Sequence, residues 1–125
     1  MAKILVVDDD PDFVAATSIA LKQAGYEVAS AASGDEALRK IRQEPPDLII
    51  LDIIMATVLD GLSVSQALSE HPDYKQIPII MVTSIANTDY AELFPTDDYI
   101  HLDTFLTKPV PLERMVREVG RLLNR

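Results

Sequence analysis

The sequence predicts an α/β fold with helices covering both faces of a parallel sheet. The first observation is a set of short apolar runs: Ile4-Leu5-Val6-Val7, Leu48-Ile49-Ile50-Leu51, Ile79-Ile80-Met81-Val82 and Phe105-Leu106-Thr107. Continuous apolar runs of this length suit strands buried on both faces. The second is that stretches with helical apolar spacing and helix-capping residues separate these runs. The third is that each run stops on polar residues: Asp8-Asp9, Asp52, Thr83-Ser84 and Lys108-Pro109. In open α/β sheets, ligands bind outside the carboxyl ends of the strands, near the point where strand order reverses. Residues far apart in the chain are therefore expected to meet there as three carboxylates, a hydroxyl and an ammonium.

The elements follow in order. Strand one covers about Lys3 to Val7. Asp10 is the expected N-cap of the first helix, with Pro11 at its first position. Phe13, Ala16, Ala20, Leu21 and Ala24 give that helix an apolar stripe, and Gly25 ends it. Strand two covers about Glu27 to Ala31. Ser33-Gly34-Asp35-Glu36 reads as a capping box opening a second helix, with Ala37, Leu38 and Ile41 facing inward. Pro45-Pro46 stops it, and strand three follows. Asp60-Gly61 opens a third helix, which ends by His71-Pro72. Strand four is expected over Ile77 to Val82. The stretch from Ile85 to Thr104 allows at most a short helix around Thr88 to Phe94, or one long strand from Tyr99 to Leu106. The last helix is expected from about Pro111 to Asn124, with Leu112, Met115, Val116, Val119, Leu122 and Leu123 toward the core.

Composition bounds the function. A chain of 125 residues, 48% of them hydrophobic, is long enough for one globular core. With 20 acidic and 11 basic residues, its net charge is −9. That balance argues against binding a nucleic-acid backbone or an anionic membrane surface. The absence of cysteine excludes disulfides and thiolate metal sites and fits a reducing compartment. Met1-Ala2-Lys3 runs directly into strand one, and no apolar run approaches transmembrane length, so a cytoplasmic protein is expected. His71 and His101 fall in loop-like segments and are read as solvated rather than as ligands.

Carboxylates gathered at strand ends repel one another, by about 1 kcal/mol per pair at 4 Å in water and about 4 kcal/mol at an effective dielectric near 20. A hard divalent cation relieves this. Mg²⁺ takes one or two carboxylates, keeps several waters and accepts a phosphate oxygen. Lys108 offers a compact second cation for a phosphoryl group, and Thr83 a hydroxyl for another of its oxygens. Asp52 is then the nucleophile, since an ionised carboxylate forms an acyl phosphate without a general base. The ordinary reading of Asp8-Asp9-Asp10 is an N-cap cluster favoured by the helix dipole, and that of Asp52 is a turn residue. The four strand ends, in this order and spacing, favour the phosphoryl reading when taken together.

These pieces resemble the receiver domain of two-component response regulators over the whole chain. The resemblance rests on Ile4-Leu-Val-Val followed by Asp8-Asp9-Asp10, on Asp47-Leu-Ile-Ile-Leu-Asp52, Asp60-Gly61, Ile79-Ile-Met-Val-Thr-Ser84 and Phe105-Leu-Thr-Lys-Pro109. It implies a doubly wound, flavodoxin-like, five-stranded parallel sheet of order 2-1-3-4-5, with residues 1–125 forming one receiver domain. It implies that Asp52 takes a phosphoryl group from a histidine kinase or phosphotransfer protein, and that the chain is a signalling switch with no separate substrate. Asp9 would hold Mg²⁺ (or Mn²⁺) directly, Asp8 largely through water, Asp52 as a further ligand, and Ile54 through its backbone carbonyl. Thr83 and Lys108 fall on the family's hydroxyl and lysine positions, and Phe105 on the aromatic that swings inward on activation. Ile54 and Ile85 occupy the two positions that flank the approach of hydrolytic water, which implies a long-lived phosphoryl state.

Three departures from the family pattern stand out. Ala56 replaces the usual proline in a loop one residue longer than the family's. The stretch between Thr83 and Lys108 is also longer, and it lacks the small-residue turn before strand five. The fourth helix is accordingly expected to be short or irregular. This stretch carries Asp89, Glu92, Asp97, Asp98 and Asp103 and no Lys or Arg, which suits an output protein with a basic or mixed surface. The alternatives are a pseudo-receiver that binds without phosphotransfer, an aspartyl phosphohydrolase, and the excised receiver of a larger regulator. A phosphohydrolase needs an acid/base carboxylate two residues after its nucleophile, where this chain has Ile54. The end of the chain just past the last helix suggests a stand-alone receiver.

Overall fold

Alternating side chains of a strand point to opposite faces, so a run that is apolar throughout needs a cover on each side. The structure, a computed structural model, describes residues 2–52, 67, 68, 70–72, 74, 76–83, 104–107 and 110–123, with positions 83, 104, 105 and 107 described by their backbone. The elements are β1 (Lys3–Val7), α1 (Pro11–Gln23), β2 (Glu27–Ala31), α2 (Gly34–Gln43), β3 (Leu48–Asp52), β4 (Ile79–Thr83), β5 (Thr104–Thr107) and α3 (Leu112–Leu123). All neighbouring strands pair in parallel, in the order β2-β1-β3-β4-β5. This is the expected doubly wound sheet.

The sheet splits the core by residue parity. Leu5, Val7, Ile49, Leu51, Ile79 and Met81 face one layer with Ala37 and Ile41 of α2. Ile4, Val6, Leu48, Ile50, Ile80 and Val82 face the other with Leu21 of α1 and Met115, Val119 and Leu122 of α3. All five residues of β3 are buried, as a central strand requires.

Helix ends obey local chemistry. Asp10 caps α1 by accepting from the Asp12 N–H, and Pro11 occupies the first turn. At the other end Gly25 has φ +98°, its N–H bonds the Lys22 carbonyl, and the Tyr26 N–H bonds the Leu21 carbonyl. This is a Schellman stop, and its left-handed position suits glycine. Ser33 caps α2 through the Glu36 N–H, as the capping box predicts. The reciprocal Glu36 carboxylate reaches the N–H of Ala32, one residue before the cap.

Three expectations shift. The buried face of α1 is set by Thr17 and Leu21, while Ala16 and Ala24 are exposed. Small apolar residues ring much of this helix, so apolarity alone did not locate its inner side. Strand β4 starts at Ile79 rather than Ile77, because the Ile77 N–H is spent on the Tyr74 carbonyl in a turn. Leu112 is 42% exposed, although Met115, Val119 and Leu122 of its stripe are buried and Val116 and Leu123 pack partly against the core. His71 is exposed as expected and stacks on Tyr74, with ring centroids 4.2 Å apart. Ala67, Leu68 and Glu70 are helical, in keeping with a helix ending by His71-Pro72. The start of that helix, the possible helix around 88–94 and the alternative strand over 99–103 lie outside the described residues, as does His101.

Candidate functional site

The strand register builds the site. Val7 of β1 pairs with Leu51 of β3, so Asp8 and Asp52 sit one step further along neighbouring strands. Both follow the parity of Val6 and Ile50, which places them on the same side of the sheet. Strand order reverses here, since β1 has β2 on one side and β3 on the other. The site thus occupies the carboxyl-end crevice where α/β sheets bind ligands.

Carboxylate oxygens of Asp8, Asp9 and Asp52 lie within 4.8 Å of one another. Asp8 is 3% exposed and Asp52 4%, whereas Asp9 is exposed. Two anions shielded from water and a third at the rim form a hard oxygen donor set. Such a set fits a small divalent cation with open positions for water or a phosphate oxygen. The Asp8 carboxylate accepts from the Asp10 N–H at 2.9 Å, and its own N–H bonds the Ala31 carbonyl at 3.0 Å. Both ties fix where Asp8 stands.

The structure separates three adjacent aspartates that the sequence presents as one cluster. Asp10 is the helix cap, while Asp8 and Asp9 join Asp52. The backbone of Thr83 closes β4 beside β3, with Val82 paired to Asp52. Phe105 pairs with Met81, and Thr107 with Thr83, in β5. Lys108 directly follows β5, but it and Ile54 lie outside the described residues, as does Ile85. The amide of Asp10, which anchors Asp8, is a positioning group that the sequence reading did not single out. Its signal was the spacing of aspartates at 8, 10 and 12, where the carboxylates of Asp8 and Asp10 each accept from the N–H two residues on.

Comparisons with known proteins bear on this geometry. Residues 4–120 match the response regulator receiver domain family. The DNA-binding dual master transcriptional regulator RpaA of Synechocystis is 36% identical over 126 residues, spanning 100% of this chain and 50% of that protein. The transcriptional regulatory protein PrrA of Mycobacterium tuberculosis is 40% identical over 124 residues, spanning 98% of this chain and 50% of that protein. The chain therefore spans about half the length of the curated relatives it matches. Among solved structures, the chemotaxis response regulator CheY4 of Vibrio cholerae superposes with a TM-score of 0.85 at 33% identity, over 98% of this chain and 99% of that one. The signal receiver domain of a histidine kinase from Syntrophus aciditrophicus gives 0.88 at 30% identity, over 99% of this chain and 91% of that one.

Proposed function

Because this chain belongs to the response regulator receiver domain family, we propose that it is a switch phosphorylated on Asp52 by a histidine kinase or phosphotransfer protein. The observation that carries this reading is the convergence of Asp8, Asp9 and Asp52 at the carboxyl ends of β1 and β3. A carboxylate oxygen of Asp52 attacks the phosphorus of a phosphohistidine. The P–N bond breaks, the imidazole leaves, and an acyl phosphate forms on Asp52.

Asp9 and Asp52 would hold Mg²⁺ (or Mn²⁺), with Asp8 acting through water and residue 54 through its carbonyl. When bound, the ion supplies positive charge opposite the phosphoryl oxygens. The tie to the Asp10 amide holds the Asp8 carboxylate in place. The Thr83 hydroxyl and the Lys108 ammonium serve as phosphoryl contacts, and Phe105 moves inward as Thr83 is drawn toward the phosphate. Residues 1–125 act as one receiver domain, and the acidic stretch before β5 meets an output protein. No described helix is long and apolar enough to cross a membrane, in keeping with a cytoplasmic role. The DNA binding for which RpaA is named is not assigned to this domain.

Incubation with acetyl phosphate and Mg²⁺ tests this reading by intact mass. The wild type should gain about 80 Da for one phosphoryl group on a carboxylate, and Asp52→Ala should gain none. Labelling of Asp52→Ala at the wild-type rate would overturn the assignment. A wild type that never labels would favour a binding module that keeps the fold without phosphotransfer.

A further inference from the structure

A hollow of about 270 Å³ lies under the last turn of α2, at the far end of the sheet from Asp52. Lys3 opens β1 and Asp8 follows its end, so the two places are about 16 Å apart at the usual rise of a strand. The hollow exists for a local reason. Ala29 on the edge strand β2 is too short to fill the space beneath α2. The helix stops at Gln43, Glu44 is extended (φ −152°, ψ 93°), and Pro45-Pro46 lead the chain away. Leu5, Ala29 and Pro46 supply an apolar floor, and Lys3, Lys40 and Glu44 the polar rim.

The rim cations are held by replaceable partners. The Lys3 ammonium bonds the Glu44 carboxylate at 2.7 Å, with Lys3 17% exposed and Glu44 68% exposed. An ion pair whose acid stands in water contributes little. Lys40 donates to the Ser30 carbonyl and lies 3.9 Å from Glu36, so among the described residues its three N–H donors are only partly used. A half-buried ammonium above an apolar floor matches a ligand with one carboxylate and a small apolar body. The volume lies at the low end of ligand sites, which favours a small ligand.

We propose that this hollow binds a small carboxylic acid, whose carboxylate takes the place of Glu44 on the Lys3 ammonium while its apolar body rests on Leu5, Ala29 and Pro46. The inference does not depend on phosphorylation at Asp52.

Amide NMR titration of the full chain with benzoate tests it, with benzyl alcohol and benzylamine as neutral and cationic counterparts. Benzoate should shift the amides of Lys3, Ala29 and Glu44 saturably, and the counterparts should not. A chain of net charge −9 repels anions in general, so saturation by benzoate cannot come from overall charge. Glu44→Gln should tighten benzoate binding about 1.4- to 5-fold by removing the internal competitor. Lys3→Gln should weaken it at least about tenfold. Ala29→Leu should abolish it by filling the hollow. If that variant does not fold, the Lys3 and Glu44 variants decide. The proposal is overturned if benzoate causes no saturable shift at these amides, if benzyl alcohol binds equally well, or if Lys3→Gln binds as the wild type does.

Discussion

The carboxylate of Asp8 accepts a hydrogen bond from the backbone N–H of Asp10 at 2.9 Å, and the carboxylate of Asp10 accepts one from Asp12 at 3.0 Å. The helix cap and the acidic site are thus linked through one residue that belongs to both. The link to Asp8 uses the Asp10 backbone, and only the cap uses its side chain. Asp10→Ala should therefore cost about 1 kcal/mol of stability through the lost cap, while phosphorylation by acetyl phosphate stays within about twofold. Urea denaturation and intact-mass kinetics measure the two effects. A severe loss of labelling in a folded Asp10→Ala protein would contradict this division of roles.

The packing of Asp8, Asp9 and Asp52 within 4.8 Å also predicts opposite signs with and without metal. Like charges at that spacing repel by about 1 kcal/mol in water and about 3 kcal/mol at an effective dielectric near 20. Asp8→Asn keeps an oxygen to accept from the Asp10 amide and removes one buried charge. It should stabilise the metal-free protein by on the order of 1 kcal/mol. Bound Mg²⁺ adds about 2.7 kcal/mol to the wild type at a hundred times its dissociation constant. Asp9→Ala should lose most of that gain, and Asp8→Asn less of it if Asp8 works through water. Thermal unfolding with and without Mg²⁺ is the measurement. Equal Mg²⁺ gains in Asp9→Ala and wild type would rule out this metal site.

The sheet was legible because its strands are buried on both faces, which leaves unbroken apolar runs at β1, β3 and β4. Caps marked the helix ends: Asp10, Ser33 and Gly25 each do the job their chemistry suggests. What stayed hidden depends on which partner a given amide or side chain meets once the chain is folded. Nothing in the sequence tells that the Ile77 N–H serves a turn to Tyr74 rather than the β4 ladder. Nor does an alanine-rich helix declare that Thr17 faces inward. The meeting of Asp8 and Asp52 was legible as a consequence of strand-end position. The tether that holds Asp8 runs through a backbone amide, so only the two-residue spacing of the aspartates marked it.

Thr17 yields a stability prediction of its own. It is 1% exposed, and its hydroxyl finds no hydrogen-bond partner among the described residues. A buried hydroxyl without a partner carries a desolvation cost of about 1–3 kcal/mol. Valine has nearly the same shape and no polar atom. Thr17→Val should raise stability by about 1 kcal/mol, read as a higher urea midpoint at unchanged slope. A lower midpoint would show that the hydroxyl contributes to the folded state.

A long-lived phosphoryl group is predicted from two side chains that cannot hydrogen-bond water. Hydrolysis of an aspartyl phosphate requires a water aligned opposite the Asp52 oxygen. In receivers, the positions two past the acceptor and two past the hydroxyl residue flank that approach. Here they are Ile54 and Ile85, which neither donate nor accept hydrogen bonds. Losing such positioning typically costs on the order of tenfold to a hundredfold in rate, or about 1.4–2.8 kcal/mol. Ile54→Asn places an amide at the first position and should speed dephosphorylation by about that factor, while Mg²⁺ affinity should hold if residue 54 serves the metal through its backbone. The decay of purified phosphoprotein after donor removal, followed by intact mass, gives both rates. Wild-type loss within seconds, or an Ile54→Asn decay no faster than wild type, would show that these two isoleucines do not set the lifetime.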